Sequence, residues 1–178
     1  MNNRLILLCV ETNKNADTDY KYIREVIRKL YKNEVKNTYK PIYMGSKGRY
    51  KDKGVISDIE KKIREYKQVN RKINTEIIVI YFIDTDDCNA DAVRKKEYDT
   101  IEKYCLNNGY KLAYFCHDVE DVFWGMKVED KQKVKKANEF VAKNKIKDVD
   151  INNLNCNVFK RHKSNIMLIL DNYWVRKK

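Results

Sequence analysis

The stretch Ile77-Ile78-Val79-Ile80-Tyr81-Phe82-Ile83, followed by Asp84-Thr85-Asp86, decides the fold of this chain. Such a short apolar run, rich in β-branched and aromatic residues, is typical of a strand that is buried on both faces. Strands of this kind occur in parallel sheets that helices cover on both sides. The sequence therefore predicts a central strand at residues 76–83, with acidic residues directly after it.

Three further apolar segments are predicted to be strands, at residues 4–10, 39–44 and 110–116. Pro41 suits an edge strand or a strand start, because proline cannot donate to a sheet ladder. Apolar residues at helical spacing lie between these segments, so strands and helices alternate. This alternation predicts an α/β fold of the compact Rossmann type, with a mostly parallel four-stranded sheet flanked by helices.

The remainder of the chain is predicted to be helical, with helices near 119–124, 129–143 and 163–174. The last of these contains the continuous apolar run 166–170, which also fits a strand. In the helix near 129–143, Val134, Ala137 and Val141 are expected to pack inward.

The length of the chain suits one domain with a substantial core. We expect residues 1–178 to form a single domain. Within it, residues 1–125 form the α/β core and residues 126–178 form a Lys-rich helical extension.

The net charge of +12 favours a polyanionic partner, either nucleic acid or an acidic membrane surface. A general bias towards lysine and asparagine would account for the charge equally well. The five cysteines form no Cys-x-x-Cys pair, which argues against a zinc site or a disulfide framework and for a reducing compartment. No apolar run reaches the length of a membrane span. We therefore expect a cytoplasmic protein that does not enter the membrane.

Acidic residues follow several of the predicted strands: Glu11 after the first, Asp84 and Asp86 after the third, and Glu120 after the fourth. The carboxyl ends of parallel strands meet at one edge of a sheet, where ligands bind. Carboxylates held together repel each other, and a divalent cation with oxygen ligands offsets that repulsion. Each acid alone could instead cap a helix or begin a turn. Together, Glu11, Asp84 and Asp86 predict a metal site.

At these residues the chain resembles the Toprim family of topoisomerases, primases and nucleases. That family carries a Glu after its first strand, as in Leu7-Leu8-Cys9-Val10-Glu11, and an Asp-x-Asp after its third, as in Asp84-Thr85-Asp86. The similarity covers residues 4–116. It is greatest to the RloB and OLD-type nucleases of bacterial and phage-defence systems, which also carry an acid before an aromatic, as in Glu120-Asp121-Val122-Phe123-Trp124.

The resemblance implies cleavage of DNA or RNA phosphodiester bonds that depends on Mg²⁺ or Mn²⁺. Glu11 would be a general acid/base or a metal ligand, Asp84 and Asp86 would bind the metal, and Glu120 would complete the catalytic set. Lys163 would neutralise charge on the scissile phosphate, or it is an ordinary solvated lysine. Small nucleases of this family often work beside an ATPase partner, so such a partner is also implied.

The chain departs from the family at Thr12, because a Gly usually follows the Glu. This departure leaves an active site and a degenerate site both open. A non-catalytic nucleic-acid-binding or assembly protein that keeps a Toprim-like shell is therefore an alternative, and a small phosphotransferase or phosphatase is a third. His117 is a candidate ligand or proton shuttle, although a single His at a strand end is commonly structural.

Basic residues predict where a nucleic acid would lie. Lys47 and Arg49, in the Gly45–Arg49 loop, could contact a backbone phosphate on one side of the acidic residues. Lys133 and Lys136, in the Lys-rich segment, could contact it on the other side. The alternative is that these lysines only solvate the surface.

Overall fold

A computed structural model describes residues 3–33, 36–71 and 74–177. One four-stranded sheet lies at its centre, in the order β2-β1-β3-β4, and every neighbouring pair is parallel. The strands are β1 (Asn3–Val10), β2 (Asn37–Tyr43), β3 (Thr75–Asp84) and β4 (Lys111–Phe115). The predicted α/β fold with a parallel four-stranded sheet flanked by helices is confirmed, including the central position of β3.

Helices connect the strands and complete the chain. They are α1 (Thr18–Leu30), α2 (Lys53–Val69), α3 (Ala92–Asn107), α4 (Val119–Trp124), α5 (Asp130–Ala142), α6 (Ile151–Leu154) and α7 (Ile166–Leu170). Each of the first three crosses from one parallel strand to another, as parallel pairing requires. All strands therefore end at the same side of the sheet, which we call the carboxyl edge.

Both faces of the sheet are buried. On β1, Ile6 and Leu8 pack into a core with α1, α4, α5 and α7, whereas Leu5 and Leu7 pack into a second core with α2 and α3. All four side chains are fully buried, which explains why β1 reads as a continuous apolar run and not as an alternating one.

The segment after residue 125 is built into the main core. It supplies Phe140, Leu170 and Trp174 to the core on the α1 side of the sheet. It also covers the outer edge of β4, where the Ser164 hydroxyl donates to the carbonyl of Tyr114 at 2.5 Å and the Asn165 side chain accepts from the Tyr114 amide at 2.8 Å. Residues 126–177 thus form part of one hydrophobic core with the rest of the chain.

Two expectations about this segment are wrong in detail. Val134 is 42% exposed, and Phe140 takes the buried position on α5 beside Ala137. The helix predicted over 163–174 is limited to Ile166–Leu170. Its first residues do not join the helix, because Ser164 and Asn165 use their side chains to bond the edge of β4.

The described residues contain no helix that is long and apolar enough to cross a membrane. All five cysteines are free thiols, and four of them are buried: Cys9, Cys88, Cys105 and Cys116. A buried free cysteine packs as a small apolar residue, so these four contribute to the core.

Candidate functional site

Glu11 and Asp84 meet at the carboxyl edge, as predicted from their positions after neighbouring strands. Because β1 and β3 are parallel neighbours, with Cys9 opposite Tyr81, Glu11 and Asp84 follow within three residues of this paired position on each strand. The backbone amide of Asp84 donates to Oε1 of Glu11 at 2.7 Å. The two acids are therefore held together by the sheet itself and not by flexible loops.

Burial disfavours the ionised form of both of these carboxyl groups. It raises the pKa of Glu11 to about 8; the nearby charges of Asp19 and Asp86 add to the increase, while the Asp84 amide and Lys47 oppose it. Burial also raises the pKa of Asp84 well above its ordinary value, and the charge of Glu11 raises it further. A cation placed here would be stabilised by acids that now repel each other.

Asp19 is a third acid at this edge, and it was not among the predicted site residues. Its side chain is only 6% exposed, and its Oδ2 accepts from the backbone amide of Thr12 at 3.1 Å. Burial raises its pKa. Its position in the first turn of the helix after β1 could have revealed it, because that turn begins at the carboxyl edge.

Two further acids, Asp118 and Glu120, enter the site from α4. Asp118 caps this helix, with its side chain accepting from the amide of Asp121 at 2.7 Å. Glu120 is fully buried, and burial raises its pKa to about 7. Apart from one ion pair, no donor among the described residues reaches either of its carboxylate oxygens.

The partner in that ion pair is Lys133. Its Nζ lies 3.2 Å from Glu120, 3.5 Å from Asp118 and 3.8 Å from Asp130. Burial alone would lower the pKa of Lys133, but the charges of Glu120, Asp118 and Asp84 raise it. Lys133 therefore faces the acids, where it acts as a built-in cation on the α4 side of the cluster.

Other lysines of the Lys-rich segment also have partners within the chain. Lys136 lies over the ring of Trp124, with its Nζ 4.4 Å from the ring centroid, and 3.6 Å from Glu139. Lys143 pairs with the same Glu139 at 2.8 Å. Part of the positive charge that was predicted to face a phosphate backbone is thus balanced by neighbouring acids.

Asp86 lies beside the acidic cluster but is directed to a different set of neighbours. Its backbone has a positive φ of 48°, and its Oδ2 pairs with Lys47 Nζ at 2.5 Å. Lys47 also donates to the carbonyl of Asp84 at 3.2 Å. The Gly45–Arg49 loop is thus next to the site as predicted, with Lys47 bound to it and Arg49 paired with Asp52 at 2.8 Å.

The remaining candidates, His117 and Lys163, have partners outside the acidic cluster. His117 pairs through Nδ1 with Asp87 at 3.1 Å. Lys163 donates to Asn153 and has no ion pair with any acid among the described residues. An open cleft of about 170 Å³ lies here, lined in part by Asp86, His117, Asp118 and Arg161.

The five acids that come together, Glu11, Asp19, Asp84, Asp118 and Glu120, offer the oxygen donors that Mg²⁺ and Mn²⁺ take. In the described residues no group of three or more His, Cys, Asp or Glu side chains is already arranged to hold a metal ion. The donor chemistry fits a divalent cation, and binding would require side chains of the cluster to reorient.

No protein-family model, curated protein or solved structure matches this chain. The similarity to Toprim nucleases accordingly remains a resemblance carried by Glu11, Asp84 and Asp86.

Proposed function

We propose that this protein is a metal-dependent nuclease that cleaves phosphodiester bonds of DNA or RNA at the carboxyl edge of its sheet. The observation that supports this most directly is the convergence of five carboxylates from the ends of β1 and β3 and the starts of α1 and α4, centred on the hydrogen-bonded pair Glu11 and Asp84. Burying this many acids lowers the stability of the fold, and such clusters are found mainly at active sites.

Glu11 and Asp84 are the residues that would hold the metal, with Asp19 and Glu120 close enough to contribute. A bound Mg²⁺ would supply a water nucleophile at neutral pH and charge stabilisation for the phosphoryl oxygens. Asp86 is less available, because Lys47 occupies its carboxylate. Lys47 is itself only 12% exposed and faces both Asp86 and Glu97, so it orients the acids on this side.

The test combines cleavage with metal binding. The wild-type protein and the variants Glu11→Gln and Asp84→Asn are incubated with labelled DNA and RNA in Mg²⁺, in Mn²⁺ and in EDTA. We expect cleavage only with metal, and a loss of about 10²-fold or more in either variant. Mn²⁺ affinity, measured by titration calorimetry, should fall in the same variants. Asp99→Asn is the matched control, because Asp99 is an exposed acid on α3.

Full activity in EDTA would remove metal from the mechanism. Retained activity in Asp84→Asn would remove Asp84 from the site.

A second candidate is a non-catalytic nucleic-acid-binding or assembly protein with the same shell. The observation in its favour is Lys133, which already places a positive charge against Glu120 and Asp118. This candidate predicts nucleic-acid binding without Mg²⁺ and no measurable Mn²⁺ affinity. Because metal affinity does not require a partner protein, it separates the two candidates even if cleavage needs an ATPase partner.

A further inference from the structure

A groove of about 450 Å³ runs along the outer side of β2, the edge strand of the sheet. Its base is formed by residues 41–43 of β2, and α2 provides one wall. The charged residues that line it are four lysines and a single acid: Lys14, Lys40, Lys61, Lys62 and Asp58. The groove is thus strongly basic, unlike the acidic cleft at the carboxyl edge.

The lysines of this groove are largely uncommitted. Within the described part of the chain, Lys14, Lys40 and Lys61 form no ion pair, and Lys62 has only a 3.7 Å contact with Glu65. The lysines of α5, in contrast, include Lys133, which is paired with acids of the site. A polyanion would gain more from the groove, because there it does not have to compete with carboxylates of the same chain.

The groove also contains an aromatic surface. Tyr43 lines it with a partly buried ring that also packs against the core on the α1 side of the sheet, and its hydroxyl donates to Oδ1 of Asp17 at 2.6 Å, which fixes the ring. A basic channel with a fixed aromatic ring is the combination with which proteins hold single strands, since the phosphates meet lysines and an unpaired base stacks on the ring. In a duplex the bases are already stacked on each other, so none is free to stack on Tyr43.

The position of the groove connects it with the acidic cluster. Tyr43 pairs in register with Val10, the residue before Glu11. Lys14 lies three residues after Glu11, in the segment that joins β1 to α1. A strand lying in the groove would therefore reach the carboxyl edge beside Glu11.

We propose that this β2 groove binds single-stranded nucleic acid through its backbone phosphates and one stacked base. The proposal deepens the proposed function, since it assigns the substrate class and the path to the same site. It is tested separately because binding can be measured in EDTA, where no metal-dependent cleavage occurs.

The probe is a fluorescein-labelled oligo-dT of about 20 nucleotides, long enough to fill a groove of this kind. Its affinity is measured by fluorescence anisotropy in EDTA at several salt concentrations. The double variant Lys14→Glu with Lys61→Glu should bind about tenfold more weakly, and its salt slope should fall by about 1.4, or about 0.7 for each phosphate that a lysine no longer neutralises. Both side chains are exposed, so the fold is kept.

The matched control is Lys103→Glu with Lys111→Glu, which makes the same change in net charge at exposed sites away from the groove. It should bind as wild type does. Tyr43→Phe keeps the ring and should also bind normally, whereas Tyr43→Ala should lose about fivefold or more. A duplex of equal length should bind more weakly than the single strand.

The proposal is overturned if wild type does not bind the oligonucleotide, if the Lys14 and Lys61 variant binds as tightly as wild type, or if the control variant loses as much. Equal binding of the duplex overturns the assignment to single strands. If these binding results hold, and the protein neither cleaves in Mg²⁺ nor binds Mn²⁺, the nuclease function fails and the groove stands. If cleavage occurs and the groove variants do not change it, the nuclease function stands and the groove is not the path of the substrate.

Discussion

At the scale of single residues, Lys133 controls the charge balance on the α4 side of the site. Replacing it in Lys133→Met should lower the free energy of unfolding by about 2 kcal/mol, because Glu120 and Asp118 would lose their cation. The effect is smaller than for a fully buried pair, since 27% of the Lys133 side chain is exposed. Urea unfolding at neutral pH measures it.

Lys131→Met is the control for this variant. Lys131 is 79% exposed, and its one ion pair among the described residues is with the exposed Glu129, so its loss should change the free energy of unfolding by less than about 0.5 kcal/mol. Equal effects of the two substitutions would mean that Lys133 is an ordinary surface lysine.

Glu120 should make the stability depend on pH. Its pKa rises from 4.5 to about 7, chiefly through burial, while Lys133 lowers it and the charges of Asp118 and Asp19 raise it. Between these values the native state binds more protons than the unfolded state, so the free energy of unfolding falls as pH rises. This contribution is complete below the ordinary pKa and is lost as pH passes about 7.

In Glu120→Gln the decrease between about pH 5 and about pH 8 should be smaller by about 2 kcal/mol, as measured by urea titrations at each pH. Part of the slope should remain, because the pKa of Glu11 is also raised, to about 8. An unchanged slope would show that Glu120 ionises normally in the folded protein.

At the scale of elements, the buried face of α5 can be tested directly. Phe140 is fully buried and its ring lies 4.8 Å from that of Tyr22, edge to face. Phe140→Ala should lower the free energy of unfolding by about 3–5 kcal/mol. Val134→Ala should cost less than about 1 kcal/mol, because Val134 is exposed. Thermal and urea unfolding of these two variants distinguishes the observed orientation of α5 from the predicted one.

Strands and long helices could be predicted because their patterns are local. The apolar run of β3 and the positions of the acids after β1 and β3 were sufficient to predict that Glu11 and Asp84 lie close together. The orientation of α5 could not be predicted, because its many lysines obscure which side chains face the core. The inward position of Lys133 depends on acids from α4, and the short α7 depends on bonds from Ser164 and Asn165 to β4.

At the scale of the whole molecule, the segment 126–178 is expected to be required for folding. A chain that ends at Gly125 would lose Phe140, Leu170 and Trp174 from the core on the α1 side of the sheet. We expect this truncated chain to show no cooperative thermal transition by circular dichroism, since that core would be open to water. A cooperative transition would instead support an independent 1–125 unit.

The bonds that Ser164 and Asn165 make to β4 have a consequence for how this protein avoids assembling with itself. An exposed edge strand is a template for intermolecular pairing, and on this side the chain covers the edge with its own backbone and side chains. The opposite edge, β2, is protected by composition, since Pro41 offers no amide and Lys40 would have to lose its hydration on pairing. Removing the cover at β4 should therefore promote fibrous aggregation, whereas replacing Pro41 and Lys40 with apolar residues should open the second edge.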